Sequence, residues 1–146
     1  MLNTRLLLVA HLVLSALCFG CTSQNVQDAV PPQAQQAGQT GSVGAKHILV
    51  MYQGSERAPA RVTRTKDEAK ALIEEIQEKI KKGGKFEDLA MEYSDCSTAA
   101  KGGDLGRFGR NDMTPAFEKA AFACQVGGTT DIVETPFGYH IIYRYE

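Results

Sequence analysis

Lys46-His47-Ile48-Leu49-Val50-Met51-Tyr52 is a short aliphatic and β-branched run with a histidine set inside it. Such a run reads as a buried strand. Downstream, Gln53 to Val62 holds Gly54, Pro59 and three charges, and reads as a surface loop. Thr65-Lys66-Asp67-Glu68 then has the spacing of a capping box, in which hydroxyl and carboxylate satisfy each other's backbone N–H groups. Behind it Ala69, Leu72, Ile73, Ile76 and Ile80 recur at helical intervals until Gly83-Gly84. Phe86, Leu89, Ala90 and Tyr93 give a second, short helix its apolar face.

Ser94 to Gly106 is polar and glycine-rich, with room for one short strand. Thr114 and Pro115 read as an N-cap and a first helical residue. Phe117, Ala120, Ala121 and Cys124 form the inner face of that helix, and Gly127-Gly128 ends it. Thr130 to Glu134 and Tyr139 to Tyr145 are two closing strands joined by a turn through Pro136 and Gly138. The order strand, helices, short strand, helix, strand, strand predicts an α+β domain, its antiparallel or mixed sheet flanked by helices.

Composition narrows the function classes. Sixteen Lys and Arg against 17 Asp and Glu leave a net charge of −1 in 146 residues, without the basic surplus that phosphate-backbone binding needs. Four cysteines are too few for a disulfide-dense scaffold. No apolar run reaches the ~20 residues of a membrane-spanning helix. Nucleic-acid coat, membrane channel and large multidomain enzyme are excluded.

The chain divides in three. Arg5, the apolar run Leu6 to Leu17 and small Gly20 predict a signal peptide over residues 1–20. Leu17-Cys18-Phe19-Gly20-Cys21 resembles the bacterial lipobox, with Cys18 where an aliphatic residue is usual, and Cys21 is the expected lipid acceptor. Thr22 to Gly44 carries six Gln, three Gly, two Pro and one charge, so residues 21–44 read as lipid-anchor cysteine and flexible linker. Ala45 to Glu146 holds 15 of the 16 basic and 16 of the 17 acidic residues and is the expected folded domain.

Three titratable groups occupy suggestive places: His47 in the first strand, His140 in the last, and Cys96 in Ser94-Asp95-Cys96-Ser97. Paired strands would set the histidines side by side within reach of the cysteine. Spacing alone leaves a Cys–His nucleophile, a metal site of two His and one Cys, and a polar cluster tuning a pocket all open. Cys124 reads as a small core hydrophobe, with a Cys96–Cys124 disulfide as the lesser alternative.

A further set of motifs runs in order through the whole folded domain. Ala45-Lys46-His47-Ile48-Leu49-Val50, Thr63-Arg64-Thr65-Lys66-Asp67-Glu68-Ala69, Phe86-Glu87-Asp88-Leu89-Ala90, Ser94-Asp95-Cys96-Ser97, Gly102-Gly103-Asp104-Leu105-Gly106, Phe117-Glu118-Lys119-Ala120-Ala121-Phe122 and Thr135-Pro136-Phe137-Gly138-Tyr139-His140-Ile141-Ile142 together resemble the parvulin family of peptidyl-prolyl cis–trans isomerases. The helix start and the Ser-Asp-Cys-Ser loop are most similar to its phospho-Ser/Thr-Pro-directed branch. The tryptophan-bearing WW module of that branch is missing, since the chain has no Trp, and Phe137 stands where the branch carries a small polar residue.

The resemblance implies a parvulin-like (FKBP-like) four-stranded sheet with about four helices in βα3βαβ2 order. It implies catalytic His47, Cys96 and His140, a proline-ring pocket of Leu105, Met113 and Phe117, and a substrate-side hydroxyl at Thr135. No metal or cofactor is implied. The expected function is non-covalent isomerisation of X–Pro bonds in exported polypeptide clients by a monomer. Lipid on Cys21 would hold it to the cell envelope, facing the periplasm. The alternatives are a non-catalytic peptide-binding chaperone using the same groove and, far less favoured, a cysteine hydrolase. Arg57 next to Glu56 on the first loop predicts broad specificity without a phosphate requirement, unless Arg61 folds inward to join Arg57.

Overall fold

Eight short elements follow one another in residues 41–146, which are the residues that the structure, a computed structural model, describes. Strand β1 (Val43–Val50) leads to helices α1 (Lys66–Lys81) and α2 (Phe86–Tyr93) and a 3₁₀ turn at Ser97–Lys101. Strand β2 (Asp104–Phe108), helix α3 (Pro115–Ala123) and strands β3 (Val133–Thr135) and β4 (Gly138–Arg144) complete the domain. The expected signal peptide, the lipid acceptor Cys21 and most of the linker lie outside the described residues. Among the described residues no helix is long and apolar enough to cross a membrane.

The four strands form one sheet in the order β2-β1-β4-β3, and every pairing is antiparallel, which settles the open choice between antiparallel and mixed. Three α-helices and the 3₁₀ turn stand where about four helices were expected. The five residues Ser97–Lys101 form only a 3₁₀ turn before Gly102 turns left-handed at φ 65°.

Local chemistry explains the helix ends. Thr65 Oγ1 accepts from the Glu68 N–H at 3.2 Å, and the Thr65 N–H donates to the Glu68 carboxylate at 2.7 Å, so the capping box forms. Thr114 and Pro115 open α3 as N-cap and first residue.

Two boundaries differ from expectation. The folded domain begins before Ala45, because Val43 and Gly44 belong to β1 rather than to the linker. Val43 is 1% exposed and packs with Phe108 and Phe117. Gly44 pairs with the chain's far end, and a side chain there would meet the Tyr145 ring at 2.5 Å. A small residue that looks like linker is thus a site of close approach. The penultimate strand is shorter than Thr130 to Glu134. Thr130 instead donates its N–H to the Ile142 carbonyl from irregular chain, and regular pairing begins only at Val133.

Strand period two divides the core. Ile48, Val50, Tyr139 and Ile141 face α1 and α2, meeting Ala69, Ile73, Ile76, Phe86, Leu89 and Ala90. Val43, Ala45 and Ile142 face α3 through Phe117, Ala121 and Phe122, and Leu49 and Met51 meet Val62 on the same side. His47 and His140 fall on this second face by the same alternation.

Candidate active site

β1 and β4 pair with Leu49 opposite His140 and Ile142 opposite His47. The histidines are therefore diagonal neighbours rather than a directly opposed pair, and long side chains bridge that separation. Their rings stack at 5.4 Å between centroids and 20° between planes, with Nδ1 to Nδ1 at 3.2 Å. Phe117 stands edge-on to both, at 5.7 Å from His47 and 5.3 Å from His140. Both histidines are about 95% buried.

Thr135 supports the pair from behind. Its Oγ1 lies 2.8 Å from His140 Nε2 and accepts the Phe137 N–H at 3.2 Å. Both nitrogens of His140 are consequently engaged. Burial, reinforced by the nearby His47, pulls the His140 imidazole down to about 3, so it is neutral at physiological pH. A neutral His140 passes one proton orientation along the chain Thr135–His140–His47. One of its nitrogens donates and the other accepts, so the directions of its bonds to Thr135 and to His47 are linked.

The Ser-Asp-Cys-Ser loop is bound along the edge of β1 that β2 leaves unpaired beyond Lys46. The Asp95 N–H donates to the Leu49 carbonyl at 2.7 Å, the Leu49 N–H to Ser94 Oγ at 3.1 Å, and the Met51 N–H to the Asp95 carboxylate at 2.9 Å. Arg64 pairs with Asp95 and donates to the Met51 carbonyl, fixing the far side of the loop. On the same edge of β1, the His47 N–H donates to the Gly103 carbonyl at 2.9 Å. Gly103 has φ 80°, and a Cβ there would strike the His47 carbonyl at 2.2 Å, so the approach requires glycine.

These contacts leave Cys96 half-buried beside His47. The imidazole draws the thiol down to about 6 against the opposing effect of burial, with Thr98 helping. Among the described residues His47 Nε2 has no other hydrogen-bond partner, which leaves it available to the Cys96 thiolate. Cys96 and Cys124 are both free, which removes the disulfide alternative. Cys124 is half-buried rather than core and borders a separate surface cavity.

A cavity of about 510 Å³ opens over this group. His47, Cys96, Leu105, Met113, Phe117 and His140, all expected at the site, line it. Thr135 does not; it is buried behind His140 and is a positioning residue rather than a substrate contact. Leu49, Met51, Asp112 and Phe137 also line the cavity, as does Arg57 at its rim. Strand alternation from His47 points to Leu49 and Met51, a signal present in the sequence. Nothing local marks Asp112.

The arrangement discriminates among the chemistries the sequence leaves open. With both His140 nitrogens occupied, a metal centre of two His and one Cys has lost one of its ligands. His47 is backed by a neutral imidazole, whereas an activated nucleophile's base is held by an orienting carboxylate. What remains is a negative group between two apolar walls, suited to a neutral, polar, rotating bond.

Residues 33–145 match the family described as the PPIC-type PPIASE domain. The chain belongs to this family, the parvulins, and it is a peptidyl-prolyl cis–trans isomerase. It is 47% identical over 111 residues to peptidyl-prolyl cis-trans isomerase Pin1 of Malus domestica, covering 70% of this chain and 92% of that one. It is 44% identical over 110 residues to foldase protein PrsA of Bacillus subtilis, covering 75% of this chain but only 32% of PrsA. The structure of peptidyl-prolyl isomerase ESS1 from Candida albicans superposes with a TM-score of 0.69 at 36% identity, covering 74% of this chain and 64% of that one.

Proposed function

We propose that the cavity isomerises X–Pro bonds without a covalent intermediate, as a foldase for exported polypeptides. Rotation must overcome the loss of amide resonance, a barrier of about 18–20 kcal/mol. The planar amide carries a partial negative charge on its carbonyl oxygen, and the twisted amide carries less. A Cys96 thiolate facing that oxygen penalises the planar state more than the twisted one, which lowers the barrier by differential binding. Leu105, Met113 and Phe117 hold the proline ring while the preceding residue turns. His47 and His140 set the charge on Cys96 and keep the floor rigid.

The observation that carries this reading is the Cys96 thiol held at about 6 beside a histidine pair whose second member is neutral and fully engaged. The test is isomerisation of an Ala-Pro peptide by the full chain. Cys96→Asp, which keeps the negative charge, retains most activity, and Cys96→Ala loses about tenfold or more, roughly 1.4 kcal/mol of barrier. Loss of activity in Cys96→Asp together with a trapped adduct on Cys96 would overturn it.

Specificity before the proline follows from which cations reach the cavity. Arg57 does; Arg64 is spent on Asp95. Arg61 is exposed and does not line the cavity. One exposed arginine beside Glu56 supports a mild preference for an acidic residue before proline, without a need for phosphate.

The foldase part of the proposal draws support from the likeness to the protein named foldase PrsA and from the signal-peptide pattern read in residues 1–20. Lipid on Cys21 would tie the domain to the envelope, and Cys21→Ser would move the protein from the membrane to the soluble fraction.

A further inference from the structure

The cavity has two chemically different ends on one face of the sheet. At one end Leu49 and Met51 pack with Phe137, and the Arg57 guanidinium lies 5.6 Å above the Phe137 ring. Arg57 reaches that position from a left-handed backbone, φ 60°, in a loop pinned by the Glu56 N–H on the Pro136 carbonyl at 2.8 Å. A residue with a Cβ holds φ above zero at a cost, and neighbouring bonds must impose it.

At the other end Met113 packs with Phe117 and Leu105, and the adjacent Asp112 joins the cavity wall. Asp112 is fixed by accepting the Gly109 N–H at 2.7 Å. The cations near it in sequence are turned elsewhere. Arg110 stacks on the Phe122 ring at 3.8 Å and pairs with Glu118, and Arg107 pairs with Glu146. One side of the groove thus carries Arg57, with Cys96 packed beside the same Leu49 and Met51, and the other carries Asp112 beside the Phe117 that touches both histidines.

From this polarity we infer that Asp112 selects the residue that follows proline and favours Lys or Arg there. The inference rests on the proposed seating of the proline ring among Leu105, Met113 and Phe117. With the ring there, the rotating bond lies toward Cys96 and the preceding residue toward Arg57. The chain leaving the proline Cα passes the rim at Asp112. A cation in that position meets a carboxylate whose orientation is already fixed, and an acidic residue meets repulsion. The groove then reads a client in one direction, acidic or neutral before proline and basic after it.

The test uses the full chain and peptides that differ only in Lys, Ala or Glu after the proline. Turnover is expected to fall in that order, with a Lys-to-Glu ratio in kcat/KM on the order of fivefold at low salt, as for an exposed charge pair. The ratio should shrink toward one at 1 M salt, where screening extends over about 3 Å. Asp112→Asn keeps an acceptor for the Gly109 N–H and should bring the ratio to about one; Asp112→Lys should invert it. Arg57→Gln should leave it in place. A wild-type ratio within about twofold of one, or a preference that survives Asp112→Asn, overturns the inference. Binding of the same peptides, followed by NMR titration, separates the two layers of the argument. A Lys preference in binding with no turnover of any peptide would refute the isomerase mechanism and leave the role of Asp112 standing.

Discussion

The two faces of the sheet are made by the same strands and have opposite characters. Toward α1 and α2, alternate residues of β1 and β4 are Ile48, Val50, Tyr139 and Ile141, closed over by aliphatic and aromatic side chains. Toward α3, the intervening residues are Ala45, His47, Leu49, His140 and Ile142, and the cavity opens among them. Two histidines in a buried layer cost desolvation, offset only by their bonds to each other and to Thr135. One face stores stability and the other holds groups that stability must restrain. A strand's period of two lets both tasks occupy adjacent residues.

The strongest way to break that contrast is to damage the closed face. Ile76 is fully buried against it, and Ile76→Ala should cost about 2–5 kcal/mol of unfolding free energy. The midpoint of urea unfolding should fall while its slope holds, and kcat/KM per folded molecule should stay near wild type. A large change in kcat/KM for the folded enzyme would mean that the two faces are not independent.

An intermediate effect comes from the open face through pH. His140 is held at about 3, below its value of 6.5 in the unfolded chain, so the unfolded state binds the extra proton between those limits. The stability contributed by keeping it neutral is complete above 6.5 and is lost as pH falls toward 3, at up to about 1.4 kcal/mol per pH unit. Cys96 acts in the same direction at higher pH, its depressed value favouring the folded state above 9 and that benefit fading as pH falls through about 6. Unfolding measured from pH 7 to pH 4 should show the acid slope in the wild type and a shallower one in His140→Gln. Equal slopes would mean that His140 is not the buried proton acceptor.

The smallest effect sharpens the boundary of the site. Arg61 is exposed outside the cavity, so Arg61→Ala should alter stability by no more than about 0.5 kcal/mol and leave kcat/KM on an acidic-Pro peptide unchanged. A tenfold loss on that peptide would place Arg61 beside Arg57 in the substrate complex.

Features governed by neighbours in the chain were legible in advance. The Thr65–Glu68 box, the Thr114-Pro115 start of α3 and the apolar stripe through Ile73 and Ile76 each depend on residues within a turn or two. The identities of His47, Cys96 and His140 were legible through the ordered motif set. What escaped depends on contacts between distant segments. Val43-Gly44 looks like linker until Tyr145 is laid against it. The diagonal offset of the histidines is a matter of register between β1 and β4, and Thr135 turns its hydroxyl to His140 because the β3–β4 hairpin folds it there. Asp112 carries no motif; only the folding of the β2–α3 connection beside Met113 brings it to the groove.

The Ser94–Asp95 clamp has a consequence for how such a site diversifies. All the bonds that fasten the loop to β1 come from Ser94 and Asp95, with Arg64 behind them. The Cys96 side chain makes none of these bonds to β1. Position 96 is therefore a socket whose occupant can change without the wall moving, and a single codon can exchange a titrating thiol for a permanent carboxylate or for a neutral group. Lineages carrying this scaffold can explore reactivity at one position while inheriting its architecture intact.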